Sequence, residues 1–362
     1  MKRIYADYAA TAPLCGPAKE KAVSVLREFG NPSSIHQEGR TARNIIEAAR
    51  QQIAQAIGAE PEEVFFTSGG SEANSLALLQ GAEFQVSPIE HTSILRHRRA
   101  KTGTVTVNRC GTVQPFTATC ASVMLVNNEM GTIQPIRELA EGDGAYEGVT
   151  RLLHVDAVQA VGHIPVDVNA LGADMLSMSG HKFGAPKGIG ALYISKRLSR
   201  DFITPLIAGG GQEQGIRSGT ENVPGIAAMG AAIQWAAEHL EEHAEHDRRL
   251  RDRLLDGISA IRGAEVTGSL SSRAPGIASF VFQGVEGGAL TGALDRDGIA
   301  VSSGSACSAG RLRPSHVLLA MGYAPKLAAG SLRISIGWQT TQDEVDEIIR
   351  AVCCRVRELR GR

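Results

Sequence analysis

Net charge is almost absent from this chain: 37 Lys and Arg stand against 38 Asp and Glu, leaving −1 over 362 residues. No global field therefore favours a nucleic acid or an anionic membrane surface. Cysteines are few. Cys15, Cys110, Cys120, Cys307, Cys353 and Cys354 show neither paired zinc spacing nor a disulfide-dense pattern, which is expected of a reducing cytosol and argues against a metal centre. Long apolar runs are missing as well. The most apolar stretch, 225–237, is too short to span a bilayer and contains Gln234. The start, Met1-Lys2-Arg3-Ile4-Tyr5-Ala6-Asp7, meets an acid before an apolar signal core, so no signal peptide is expected. There is no internal repeat and no low-complexity tract. What remains, 43% hydrophobic and 21% charged residues, is the composition of a soluble globular enzyme. The length allows a large core and roughly two domains. A cytoplasmic protein is expected, with no direct nucleic-acid partner and no membrane partner.

Apolar strand-like runs (Val64-Phe65-Phe66, Val123 to Val126, Leu152 to Val155, Met175 to Met178, Ala191 to Ile194) alternate with helical patterns such as Arg40 to Ile57. That alternation predicts an α/β fold on a mainly parallel sheet. From Gly225 to Ile258 the pattern predicts one long helix whose charged second half is a solvated face or an interdomain connector. Beyond it, Ile277 to Phe282 and Ser331 to Ile336 predict strands of a smaller α+β domain, closed by an amphipathic helix over 343–359.

The most informative local feature is Ser179-Gly180-His181-Lys182, preceded by Asp156-Ala157-Val158-Gln159. A Lys at a strand end can hold an aldehyde as a Schiff base when partly desolvated. An Asp on the neighbouring strand can pair with a pyridinium nitrogen, making the ring of pyridoxal phosphate (PLP) an electron sink. Apolar runs deliver both residues to the carboxyl ends of strands, where open α/β sheets place ligands. Either alone is an ordinary buried Asp or surface Lys; together they point to a cofactor. Thr67-Ser68-Gly69-Gly70-Ser71 follows a strand and opens a helix, so its N–H groups suit a phosphate, with Ser71 as hydroxyl donor. A capped helix start has the same composition. Ser179 and His181 can add donors to that phosphate. His91 can stack on a ring face and shuttle protons, although a lone His is more often structural. Asn128 can orient a ring hydroxyl or substrate, or simply make a turn. Gly209-Gly210-Gly211-Gln212-Glu213 with Arg217-Ser218-Gly219-Thr220 reads as a flexible loop carrying a cation and hydroxyls. Arg333, a cation within a strand, suits an α-carboxylate; the alternative is a salt bridge to a domain carboxylate.

Ser302 to Gly310 is a run of small residues containing one thiol, Cys307. Such a mobile loop suits a nucleophile that moves between a buried ring and an external acceptor. The other cysteines read as core or surface residues, and adjacent Cys353 and Cys354 cannot both face one partner.

Taken in order, these motifs closely resemble the cysteine desulfurases of the NifS/IscS type, in the class V branch of fold-type-I PLP enzymes. Asp7-Tyr8-Ala9-Ala10-Thr11 and Gly30-Asn31-Pro32-Ser33-Ser34-Ile35-His36 join the match, which runs nearly the whole chain. The resemblance implies a large PLP-binding α/β domain over 13–244 with a seven-stranded sheet, and a small α+β domain formed by 1–12 and 245–362 with a mobile cysteine loop at about 302–313. It implies Lys182 as Schiff-base lysine, Asp156 as pyridinium partner, Gln159 and Asn128 as ring-hydroxyl and substrate contacts, and His91 as stacking residue and proton carrier. Ser71, Ser179 and His181 would contact the phosphate, with Thr220 reaching it from the other subunit of a homodimer. Asn31 and Arg333 would hold the carboxylate of L-cysteine, and Cys307 would take its sulfur for an iron–sulfur scaffold or another sulfur carrier, in cluster assembly, tRNA thiolation or a DNA-modifying system. Ser71 replaces the family's usual Thr; Gln214 and Trp338 stand where Arg is common, which puts loop electrostatics and partner docking in doubt. The stretch 78–123 is short, so a peripheral element is expected to be trimmed. The rival activities are a selenocysteine lyase or an aminotransferase on the same scaffold. The rival from another class is an inactive scaffold subunit.

Overall fold

Alternating and continuous apolar runs become a seven-stranded and a three-stranded sheet, with a separate two-stranded pair, packed around three hydrophobic cores among the described residues. The computed structural model describes residues 3–141, 152–304 and 314–361. Cys307 and most of the segment expected as a mobile loop therefore lie outside the described residues. The strands, in chain order, are β1 (Ile4–Tyr5), β2 (Val64–Thr67), β3 (Phe84–Val86), β4 (Ala100–Lys101), β5 (Cys120–Met124) and β6 (Leu152–Asp156). They continue with β7 (Met175–Ser179), β8 (Gly190–Ile194), β9 (Ala264–Val266), β10 (Ile277–Phe282), β11 (Ile299–Ala300) and β12 (Ser331–Ser335).

Seven of them form one sheet in the order β2-β8-β7-β6-β5-β3-β4. It is parallel from β7 to β4, and β8 alone runs against its neighbours. Helices cover both faces, so β2, β7 and β8 are buried along their whole length. Alternate side chains serve two cores: Phe66, Leu176 and Ala191 join the larger one, whereas Phe65, Met175 and Leu192 join a second on the opposite face. On the larger-core side, helix Gln37–Ile57 buries Ala42, Ile46, Ala49, Ile53 and Ile57 at helical spacing. It crosses helix Val223–Glu238 so closely that a Cβ at Gly230 would lie 2.8 Å from the Ala49 Cα. Only glycine fits that crossing. Between β3 and β5 the chain makes only the single-turn helix Thr92–Leu95 and the two-residue β4.

The long helix predicted from Gly225 to Ile258 is in fact two, Val223–Glu238 and Leu240–Ser259. His239 leaves helical geometry (φ −112°, ψ 11°), and its ring donates to the Trp235 carbonyl at 2.9 Å. The break lets Trp235, His243, Tyr8 and Trp338 pack as one ring cluster, with Trp338 5.1 Å from Trp235 and 5.5 Å from Tyr8. Trp338 is thus a packing residue, half-buried between elements rather than a projecting docking group.

β9, β10 and β12 form an antiparallel sheet. Helices Leu240–Ser259, Gly287–Arg296 and Gln342–Arg360 cover it, burying Leu250, Leu254, Phe280, Phe282, Ile334 and Ile348. The N-terminus is part of this unit. β1 pairs with β11, Asp7 bridges Ser335, and Ile4 and Ala6 lie in its core, while Ala9 already packs in the larger one.

Candidate active site

β6 and β7 are adjacent and parallel, so Asp156, the last residue of β6, and the turn Gly180–Lys182 after β7 emerge at the same sheet edge. Here a cavity of about 380 Å³ is lined by Lys182, Asp156, His91, Asn128, Gln159, Ser71, Ser179, His181 and Arg333. Nine positions expected at the site are therefore brought together. Asn31 and Thr220 are not. Both are exposed away from this cavity, and Asn31 Oδ1 accepts from the Ser33 amide at 2.9 Å.

Lys182 is half-buried, and its Nζ donates to the carbonyls of Ala9 (2.6 Å) and Ala10 (2.9 Å). Gln159 Nε2 donates to the same Ala9 carbonyl at 2.7 Å. The N-terminal segment thus holds the lysine by main-chain oxygens, which no residue type announces. Asp156, only 4% exposed, accepts from the Val158 amide at 3.0 Å and from Asn74 Nδ2 at 2.8 Å. A buried carboxylate kept by two donors is a fitting partner for a cationic ring nitrogen. His91 caps helix Thr92–Leu95, and burial holds its ring below the usual imidazole range despite the nearby Asp156.

The phosphate reading of Gly69 to Ser71 can be tested on the backbone. Helix Gly70–Leu78 has no side-chain cap at its start, leaving first-turn N–H groups for an anion. Gly69 has φ +152°, a conformation that favours glycine, and a Cβ at Gly70 would meet Val158 Cγ2 at 2.7 Å. Burial and the neighbouring Lys182 and Lys187 push His181 down to about 4, so its ring is neutral, with Nδ1 3.2 Å from Thr11 Oγ1. Cradle, hydroxyls, anchoring lysine and buried carboxylate together fit PLP.

Arg333 meets both of its sequence readings. It lines the cavity, yet Nη2 pairs with Asp7 at 2.8 Å and Nη1 donates to the Asn128 carbonyl at 2.7 Å. Its buried Nε has no hydrogen-bond partner among the described residues. The expectation of a flexible Gly-rich loop is corrected. Buried Glu213 forms a two-pronged pair with Arg50 (2.8 and 2.9 Å) and accepts from the Phe66 amide, while Arg217 pairs with Glu72 at 2.9 Å. Such charge-assisted bonds tie the loop to the large sheet. Gln214 is exposed and accepts from Arg200.

Glu90, fully buried beside His91, was missed by the sequence reading. Burial raises its carboxyl to about 8, with Asp156 adding to the effect, although Ser87 and the Met124 amide bond to it. A raised folded-state value stabilises the fold fully below the unfolded value, and that contribution is lost as pH rises through about 8. Wild type should therefore lose stability relative to Glu90→Gln at up to about 1.4 kcal/mol per pH unit across this window. Chemical unfolding of both proteins at about pH 5 and about pH 8 measures the gap. Parallel profiles would show that Glu90 is already ionised in the folded protein.

Comparison with known proteins places this geometry. The sequence matches the aminotransferase class-V family over residues 4–348. It is 43% identical over 371 residues to a cysteine desulfurase IscS of Dictyoglomus turgidum, covering 96% of this chain and 93% of that protein. The fold superposes on a NifS-like protein with a TM-score of 0.89 at 34% identity, covering 99% and 100% of the two chains. It also superposes on a structure described as SspA in complex with cysteine, with a TM-score of 0.76 at 32% identity over 92% and 99% of the chains. The scaffold is thus that of a fold-type-I, PLP-dependent enzyme, and the chain belongs to the class-V aminotransferase family.

Proposed function

We propose that this chain is a cysteine desulfurase that converts L-cysteine and the Cys307 thiol into L-alanine and a Cys307 persulfide. The carbon–sulfur bond of the substrate breaks, a sulfur–sulfur bond forms, and no external oxidant is needed. The observation that carries this reading is the position of Gly304. It lines the cavity together with Lys182 and His91, and Cys307 is only three positions further along the sequence.

Bound PLP supplies an electron sink for charge developing at the substrate Cα. Ser71, Ser179, His181 and the first-turn amides would hold its phosphate, and Asp156 would pair with its ring nitrogen. Lys182 anchors it and then exchanges protons at Nζ, a task suited to an amine held by two carbonyls rather than by a carboxylate. His91 would stack on the ring and carry a proton, while Gln159 and Asn128 would orient ring and substrate. Arg333 would hold the substrate carboxylate, for which its Nε is the donor left over from the pair with Asp7. Cys307 Sγ attacks the substrate sulfur.

Thr220 lies exposed outside its own chain's cavity, which supports a homodimer in which it completes the partner's phosphate site. The division into 13–244 and 1–12 with 245–362 belongs to the same proposal, as do a cytoplasmic location and an iron–sulfur scaffold or sulfur carrier as acceptor. Among the described residues no helix is long and apolar enough to cross a membrane.

Mass spectrometry after incubation with L-cysteine is expected to find one added sulfur, on the peptide containing Cys307. Unmodified Cys307 with alanine still released would overturn the assignment. Sedimentation should show a dimer; a fully active monomer would remove the role given to Thr220.

A further inference from the structure

Two side chains with no assigned role connect the carboxylate proposed to pair with the cofactor ring to the imidazole proposed to stack on it. Asn74, on helix Gly70–Leu78 and 1% exposed, donates from Nδ2 to Asp156 Oδ2 at 2.8 Å and to Ser93 Oγ at 2.9 Å. Ser93 Oγ lies 2.8 Å from His91 Nδ1, and the Ser93 amide reaches the same nitrogen at 3.2 Å.

Counting hydrogens orients this chain. An amide nitrogen has two, and both are used, one toward each neighbour. Turning the amide over would set its oxygen against the Asp156 carboxylate and replace that bond with a repulsion. The cost of the observed orientation is visible: Asn74 Oδ1 is buried without a hydrogen-bond partner among the described residues. Ser93 Oγ accepts from Asn74 and keeps its own hydrogen for His91 Nδ1, because the Ser93 amide also points at that nitrogen and requires a lone pair there. That nitrogen must be the acceptor, which leaves the ring proton on Nε2.

We propose that Asn74 and Ser93 are positioning residues, forming a relay that fixes the Asp156 carboxylate and holds neutral His91 as its Nε2–H tautomer, so that Nε2 is the ring's N–H donor and Nδ1 its acceptor. The titratable groups facing His91 are Asp156 at the end of β6, Lys182 in the turn after β7, and His316 on helix His316–Ala320, with Glu90 just before it in the chain. None of them bonds to Nδ1 in the structure, so the tautomer is decided by Ser93.

The inference rests on the proposed roles of Asp156 and His91, but its readout is spectroscopic and does not depend on turnover. Full-length holoenzyme labelled with ¹⁵N-histidine, with His91→Asn to assign the ring, should show Nδ1 unprotonated and Nε2 protonated near neutral pH. Ser93→Ala removes a donor to the neutral ring, so His91 should take up its proton at a pH higher by roughly half to one unit, with a mixture of tautomers. Ser93→Thr keeps the hydroxyl and should restore the wild-type spectrum. Asn74→Leu does not touch His91, yet should move its titration in the same direction by freeing the Ser93 hydroxyl, and should add nothing in the Ser93→Ala background. A proton on Nδ1 in the wild type, or a titration unmoved by Ser93→Ala, would overturn the relay even in a fully active desulfurase. Should Asn74→Leu fail to fold, the two Ser93 variants still distinguish these outcomes.

Discussion

Lys182→Ala should abolish desulfuration, with alanine release falling by several orders of magnitude, as expected when a covalent anchor and proton carrier is removed at once. The chemistry is specific to an amine at this place. Lys182 Nζ projects from the turn after β7 into the cavity that Asp156 and His91 line, held by the Ala9 and Ala10 carbonyls. The fold should survive the substitution, because the half-buried side chain belongs to none of the hydrophobic cores. Borohydride treatment of the wild-type protein should fix the cofactor to the peptide containing Lys182, and the variant should take no label. Label on another lysine, or turnover near the wild-type rate in Lys182→Ala, would refute the assignment.

Cys307→Ser is expected to separate cofactor chemistry from sulfur transfer. Serine keeps the size and polarity of the position, but its hydroxyl is essentially unionised at neutral pH and cannot accept a sulfane sulfur. None of the ring, phosphate or carboxylate contacts proposed for the cavity involves Cys307. The variant should therefore bind PLP normally and still respond spectrally to L-cysteine. It should lose persulfide and alanine production by several orders of magnitude. An aminotransferase on this scaffold would keep most of its turnover, since its chemistry needs Lys182 and the ring alone. Alanine release continuing near the wild-type rate in Cys307→Ser would thus refute the desulfurase reading, even with every cofactor contact in place.

Much of the site is legible in the sequence, because its main participants are marked by residue type at the end of a local element. An apolar run ending in Asp156 and another followed by Gly180, His181 and Lys182 are patterns within a few residues, and strand ends are where an α/β sheet exposes its chemistry. The helix over Gln37–Ile57 and the strands β10 and β12 are readable for the same reason: burial of one face, or of both, imprints a period on the sequence. Contacts across the fold leave no such period. Asn74 and Asp156 are 82 positions apart, Arg50 and Glu213 163, Asp7 and Arg333 326. Whether such side chains meet depends on strand order, register and the crossing of helices, each set by the packing of the whole chain. That is why the loop around Glu213 reads as flexible in one dimension and is anchored in three. It is also why the sequence leaves Arg333 between a substrate carboxylate and a domain salt bridge, whereas the structure shows Asp7 on one of its nitrogens. The carbonyls of Ala9 and Ala10 are beyond any such reading, since every residue carries a carbonyl. The residue types alone determined the chemistry available to this protein; the tertiary structure decided which groups share the cavity and which way their hydrogens point, because hydrogen bonding acts over about three ångströms and takes no account of distance along the chain.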